Sequence, residues 1–122
     1  MAAPEGRTVL VVEDDESVRT LAARMLTAAG FLVVTAGDGV EAMAVLDRTP
    51  GVAAVLSDLK MPRMDGHALA MQLLAHPDHP RLVFMTGQPE ASLTQNLPGP
   101  LVLKPFTFDT LTDTIRAIIT AA

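Results

Sequence analysis

Five short apolar runs, each followed by a segment whose apolar residues return every three or four positions, constrain this chain more than any other feature. Thr8 to Val12, Phe31 to Ala36, Val52 to Leu56, Leu82 to Met85 and Leu101 to Leu103 read as strands, continuous enough in apolar side chains to be covered on both faces. Between them the period changes. Val18, Leu21, Ala22, Met25 and Leu26 form one helical stripe that Gly30 ends; Asp38 caps a second helix carrying Ala42, Val45 and Leu46; Asp65 caps a third carrying Leu69, Leu73 and Leu74. Glu90 to Leu97 offers two turns of helix before Pro98-Gly99-Pro100 closes it. Thr107 is a good cap for the last helix, with Phe106 placed to staple onto Leu111, and Ile115 and Ile118 continuing that face. Buried strands alternating with amphipathic helices predict an α/β domain: a doubly wound, five-stranded parallel sheet with helices on both faces, joined by right-handed crossovers.

Length and charge narrow the function. The 122 residues suffice for one domain with a real core, and the absence of cysteine excludes disulfide and thiolate chemistry. Residues 1–7 read as a flexible N-terminal tail and 8–122 as the domain. A net charge of -5 argues against direct nucleic-acid binding, which needs an excess of Lys and Arg. No apolar run approaches the length of a membrane span and Met1 to Arg7 lacks the pattern of a signal peptide, so no direct membrane contact and a cytoplasmic location are expected.

Doubly wound sheets bind ligands beyond the carboxyl ends of their strands. Glu13 and Asp14 follow the first strand, Asp58 the third, Thr86 the fourth and Lys104 the fifth. Carboxylates converging on one pocket repel by roughly 4 kcal/mol per close pair at an effective dielectric near 20. A hard divalent ion relieves that repulsion, and an all-oxygen set suits Mg²⁺. Lys104 adds a compact charge suited to a phosphoryl oxygen, Thr86 a hydroxyl donor, and Asp58 can serve as a nucleophile that forms an acyl phosphate. Asp15 and Glu16, beside these acids, read as the solvated start of the first helix.

The segments "VLVVEDDESVR", "SDLKMPRMDG", "MTG" and "VLKPF" stand in the order and on the elements that this reading needs. With them the chain resembles the response-regulator receiver domains of two-component signalling over residues 8 to 120. The resemblance implies a flavodoxin-like fold and phosphorylation of Asp58 by a histidine kinase or histidine phosphotransfer protein. It further implies Mg²⁺ held by Glu13, Asp14, Asp58 and the carbonyl of Lys60, contacts from Thr86 and Lys104 to the phosphoryl group, and a cis Lys104-Pro105 peptide. Lys60 and Gln88 occupy positions that tune phosphoryl lifetime in that family. A receiver is a signalling phosphoacceptor that assists its own phosphotransfer and autodephosphorylation, not an enzyme acting on an external substrate.

The pattern departs from the family at Leu101, where many receivers carry an aromatic that turns inward when the threonine moves, and in the short Thr86–Lys104 interval, which predicts a shortened fourth helix. That shortening resembles receivers at the carboxyl end of hybrid histidine kinases, and a stand-alone regulator is the other context. Two alternative functions stay open at this stage: a phosphorylation-independent interaction module, and an aspartyl-phosphate phosphatase, although the latter wants a second acid where Lys60 stands. His67, His76 and His79 read as loop residues, Met61, Met64, Met71 and Met85 as core filler, and "GDG" at 37–39 as a cap and turn.

Overall fold

The computed structural model describes residues 6–120. The part of the expected tail from residue 1 to 5 lies outside them. Ten elements alternate: β1 (Thr8–Val12), α1 (Glu16–Ala28), β2 (Leu32–Ala36), α2 (Gly39–Arg48), β3 (Val52–Asp58), α3 (Gly66–Leu74), β4 (Arg81–Thr86), α4 (Ala91–Thr94), β5 (Leu101–Leu103) and α5 (Phe108–Thr120). All strand pairs are parallel, in the order β2-β1-β3-β4-β5. This is the flavodoxin-like order, and its direction reverses between β1 and β3.

Alternation along the strands divides the core in two. Val9 and Val11 of β1 point to one face, where they join Leu56, Val83 and Met85 under Ala22 and Leu26 of α1 and Leu111 and Ile115 of α5. Leu10 and Val12 point to the other, with Val55, Leu82 and Phe84 under Ala42 and Val45 of α2 and Leu69 and Leu73 of α3. Strands buried on both faces account for the unbroken apolar runs of the sequence.

Caps set the helix boundaries. The carboxylate of Asp15 accepts the Ser17 and Val18 amides, Asp38 accepts that of Glu41, Asp65 that of Ala68, and the Thr107 hydroxyl that of Thr110. At the end of α1 the Gly30 amide, at φ 102°, donates to Thr27 and the Phe31 amide donates to Leu26. That closing motif corrects the second strand: Phe31 spends its N–H on the helix and its ring in the core, so β2 begins at Leu32.

Three further expectations change. The fourth helix is a single turn rather than two, because Gln95 is extended and Asn96 takes a left-handed φ of 60°. Leu21, assigned to the buried stripe of α1, is 48% exposed, and α1 buries Ala22 and Leu26 instead. Met71 is not core filler: it is 70% exposed on the outer side of α3, whereas Met85 is fully buried and Met61 and Met64 pack against the α2–α3 core.

Candidate functional site

The reversal of strand order places the ends of β1 and β3 side by side, and the expected acids stand there. Glu13 follows β1, its backbone held by a hydrogen bond from its amide to the Ala36 carbonyl and by Arg19 Nη1 donating to the Glu13 carbonyl at 2.8 Å. Asp58 is the last residue of β3. The side chains of Glu13 and Asp58 are buried and that of Asp14 is exposed, yet each offers an oxygen within 4.8 Å of the others. Asp15 and Glu16 face water at the start of α1, as expected.

Lys104, directly after β5, reaches across the sheet end. Its Nζ donates to Glu13 Oε1 and to Asp58 Oδ2, each at 3.1 Å. Pro105, which follows it, is joined by a cis peptide bond. Burial works against the ammonium, but the hydrogen bonds and charges of Asp58 and Glu13 outweigh it and hold Lys104 above the ordinary lysine value. Glu13 does not gain in the same way. Burial, aided by the hydrogen bond and charge of Asp58, pushes its carboxyl up to about 8 against the pull of Lys104. One ammonium cannot neutralise two ionised carboxylates, so ionising Glu13 beside Asp58 leaves the site with an excess of negative charge.

A cation fits what is left over. Glu13 Oε2 is buried with no hydrogen-bond partner among the described residues, an arrangement that costs free energy unless something positive or protic meets it. Three carboxylate oxygens at this spacing, two of them buried, form a donor set for a hard divalent ion.

A shallow cleft beside the acids is lined by Asp58, Lys60, Thr86, Gly87, Gln88 and Lys104. The buried Thr86 hydroxyl donates to the Gln88 carbonyl at 3.3 Å and accepts the Gln88 amide at 3.1 Å. The Lys60 amide donates to Asp58 Oδ1 at 3.4 Å, while its ammonium crosses the cleft to Gln88 Oε1 at 2.9 Å. Every sequence-derived site residue thus gathers at one end of the sheet. The resemblance places Lys60 and Gln88 by the phosphoryl site without pairing them across 28 residues, and nothing in the sequence pairs Arg63 with Asp38, where Nε donates to Oδ2 at 2.7 Å. The histidines join no metal-binding group among the described residues, and His79 Nδ1 lies 2.8 Å from the Pro80 carbonyl.

Comparison with known proteins agrees with this geometry. The family model for the response regulator receiver domain matches residues 9–116. The chain belongs to that family. It is 36% identical over 118 residues to the sensor kinase CckA of Brucella abortus, covering 92% of this receiver and 12% of the kinase. A Rhizobium etli protein named "Probable chemotaxis protein CheY" is 31% identical, with 99% of this receiver and 98% of that protein covered. Among solved structures, the receiver domain of the hybrid histidine kinase CckA superposes with a TM-score of 0.78 at 27% identity, covering 93% of this receiver and 99% of that chain. The chemotaxis response regulator CheY4 of Vibrio cholerae gives 0.79, also at 27% identity, covering 93% and 98%. A phosphoacceptor role in two-component signalling fits these relationships, and neither the interaction module nor the phosphatase is favoured by them. No helix among the described residues is long and apolar enough to cross a membrane.

Proposed function

We propose that this receiver accepts a phosphoryl group on Asp58 from the phosphohistidine of a histidine kinase or histidine phosphotransfer protein. The observation that carries the reading is the position of Asp58: a buried carboxylate at the strand-order reversal, held at one oxygen by Lys104 and approached at the other by the Lys60 amide. An Asp58 oxygen forms the bond to phosphorus as the bond from phosphorus to the imidazole nitrogen breaks, and the imidazole leaves with the electron pair. Lys104, already on the carboxylate, neutralises charge on the phosphoryl oxygens. Thr86 can turn its hydroxyl from the Gln88 carbonyl toward them.

Glu13, Asp14 and Asp58, with the Lys60 carbonyl, would hold Mg²⁺, which supplies charge neutralisation at the transferring group. The receiver assists its own phosphotransfer and autodephosphorylation and processes no external substrate. Lys60 and Gln88, bridged over the cleft, flank the route by which water would reach the acyl phosphate. With a net charge of -5 the receiver binds no nucleic acid directly, and its partners are proteins of the cytoplasm.

Acetyl phosphate with Mg²⁺ tests the assignment. Mass spectrometry is expected to find one phosphoryl adduct at Asp58, absent from Asp58→Asn and after chelation. An adduct retained in Asp58→Asn would place the chemistry elsewhere.

A further inference from the structure

The loop that follows Asp58 contains a backbone conformation that its own sequence does not favour. Arg63 has a φ of 63°, and the Met64 amide donates to the Pro62 carbonyl at 2.7 Å, closing a three-residue turn about it. A positive φ at the centre of so tight a turn is strained for any residue with a Cβ, and it persists only where surrounding contacts impose it. Those contacts are present. Arg63 Nε donates to Asp38 Oδ2 at 2.7 Å, and Asp38 is itself fixed as the cap of α2 through Oδ1. Beside this pair the Gly39 amide donates to the Met64 carbonyl at 3.1 Å, with the backbones so close that a Cβ on Gly39 would lie 2.7 Å from Met64 Cβ.

The other end of the loop is pinned as firmly. The Gly66 amide donates to the Leu59 carbonyl at 3.1 Å, and a Cβ at Gly66 would strike the Asp58 carbonyl. The segment 59–65 is therefore clasped between the start of α2 and the residue that ends β3. Inside it sits Lys60, whose amide donates to Asp58 Oδ1 at 3.4 Å. At that length the bond is near the limit of useful geometry, so a displacement of a few tenths of an ångström makes it or removes it.

We propose that Arg63 is a positioning residue for the phosphoacceptor. Through its ion pair with Asp38 it holds the strained turn, and the turn keeps the Lys60 amide on Asp58 Oδ1 while Lys104 holds Oδ2. The carboxylate is thereby fixed at both oxygens before a phosphoryl donor arrives, the kind of preorganisation that small misplacements undo. This role rests on Asp58 being the phosphoacceptor.

Three substitutions test it: Arg63→Ala, Arg63→Lys and Asp38→Asn. Alanine keeps the Cβ that makes the positive φ costly while losing the ion pair, and asparagine still caps α2; the turn lies outside both cores, so both variants are expected to keep a wild-type fold. Two quantities are read: the position of the Lys60 amide resonance by NMR in the unphosphorylated protein, and the rate of phosphorylation by acetyl phosphate with Mg²⁺, resolved into kcat and KM for the donor. Arg63→Ala and Asp38→Asn are each expected to move the Lys60 resonance and lower kcat about fivefold with KM unchanged, the scale of one partly exposed ion pair. Arg63→Lys is expected to restore most of both. The proposal is overturned by an unchanged kcat in Arg63→Ala, by a lowered kcat with the Lys60 resonance unmoved, or by an Asp38→Asn protein that behaves as wild type. A wild-type protein that takes no phosphoryl group at all would overturn the proposed function instead. The Lys60 resonance tells the two failures apart, because it reads the clasp without phosphorylation.

Discussion

Lys104 is the residue on which the charge balance of the site depends. Among the described residues it is the one cation within hydrogen-bond reach of both Glu13 and Asp58, and its side chain is only 19% exposed. Removing it leaves two neighbouring carboxylates without a counter-charge. Breaking a fully buried ion pair costs roughly 3–5 kcal/mol. Here the loss is smaller, because Glu13, already pushed up to about 8 by burial and by Asp58, can take up a proton and cease to repel its neighbour. Lys104→Ala is expected to lose about 2 kcal/mol of stability in metal-free buffer, measured by urea unfolding at neutral pH. Saturating Mg²⁺ should recover much of that loss, since a divalent ion supplies the missing charge to Glu13, Asp14 and Asp58. Phosphorylation by acetyl phosphate should remain slow in the same protein even when the metal is bound. A variant that could no longer bind Mg²⁺ would show Lys104 acting on the metal and not on the phosphoryl group.

At the scale of elements, the loops between strands and helices carry the second charge pair. Asp38 is held below the ordinary carboxylate range by its hydrogen bond to Arg63 and by the amide of Glu41, which with the Arg63 charge outweigh the opposing effect of burial. A depressed carboxylate contributes stability above its unfolded pKa and loses it as pH falls through the folded one. Wild type and Asp38→Asn are therefore expected to differ in stability near pH 6 and to converge only in acid below the ordinary carboxylate range, where Asp38 takes up its proton. Urea midpoints measured across that range check it, and a difference that persists in acid would remove Arg63 as its source. The sequence showed half of this arrangement. Asp38 announced itself as a cap, because a cap is a local pattern of one side chain and an amide three residues on. The partner did not, because 25 residues separate Arg63 from Asp38 and only the adjacency of β1 to both β2 and β3 brings their loops together. The same distinction explains the other outcomes. Strand runs, caps and strand-end acids are written locally and were legible. The exposure of Leu21 and Met71 depends on how far neighbouring elements reach over α1 and α3, and the single turn of α4 on the backbone of Gln95 and Asn96, none of which periodicity encodes.

For the whole molecule, the site sits where two cores meet. β1 and β3 contribute side chains to both layers, so the acids at their ends are anchored by the most buried part of the fold. Thr86 and Lys104 extend the site to β4 and β5, with the Lys104 amide donating to the Thr86 carbonyl at 2.9 Å. A cation held by Glu13, Asp14 and Asp58 would join the ends of β1 and β3, and its binding free energy would add to the stability of the domain. A hard cation bound only by the folded chain adds about 2.7 kcal/mol at a hundred times its Kd. For a domain of this size that is a rise of roughly 10 °C in Tm. Mg²⁺ is expected to produce such a shift in a thermal scan, and Glu13→Gln and Asp58→Asn should each diminish it, since every one of the three acids brings an oxygen to the same few ångströms. Above about pH 8, where Glu13 is ionised, removing either buried carboxylate also relieves repulsion, so at that pH both variants should melt higher than wild type without metal and lower than wild type with it. That crossing separates a cation site from an ordinary acidic cluster: for acids that merely repel, the metal-free gain would appear and the Mg²⁺-dependent loss would not.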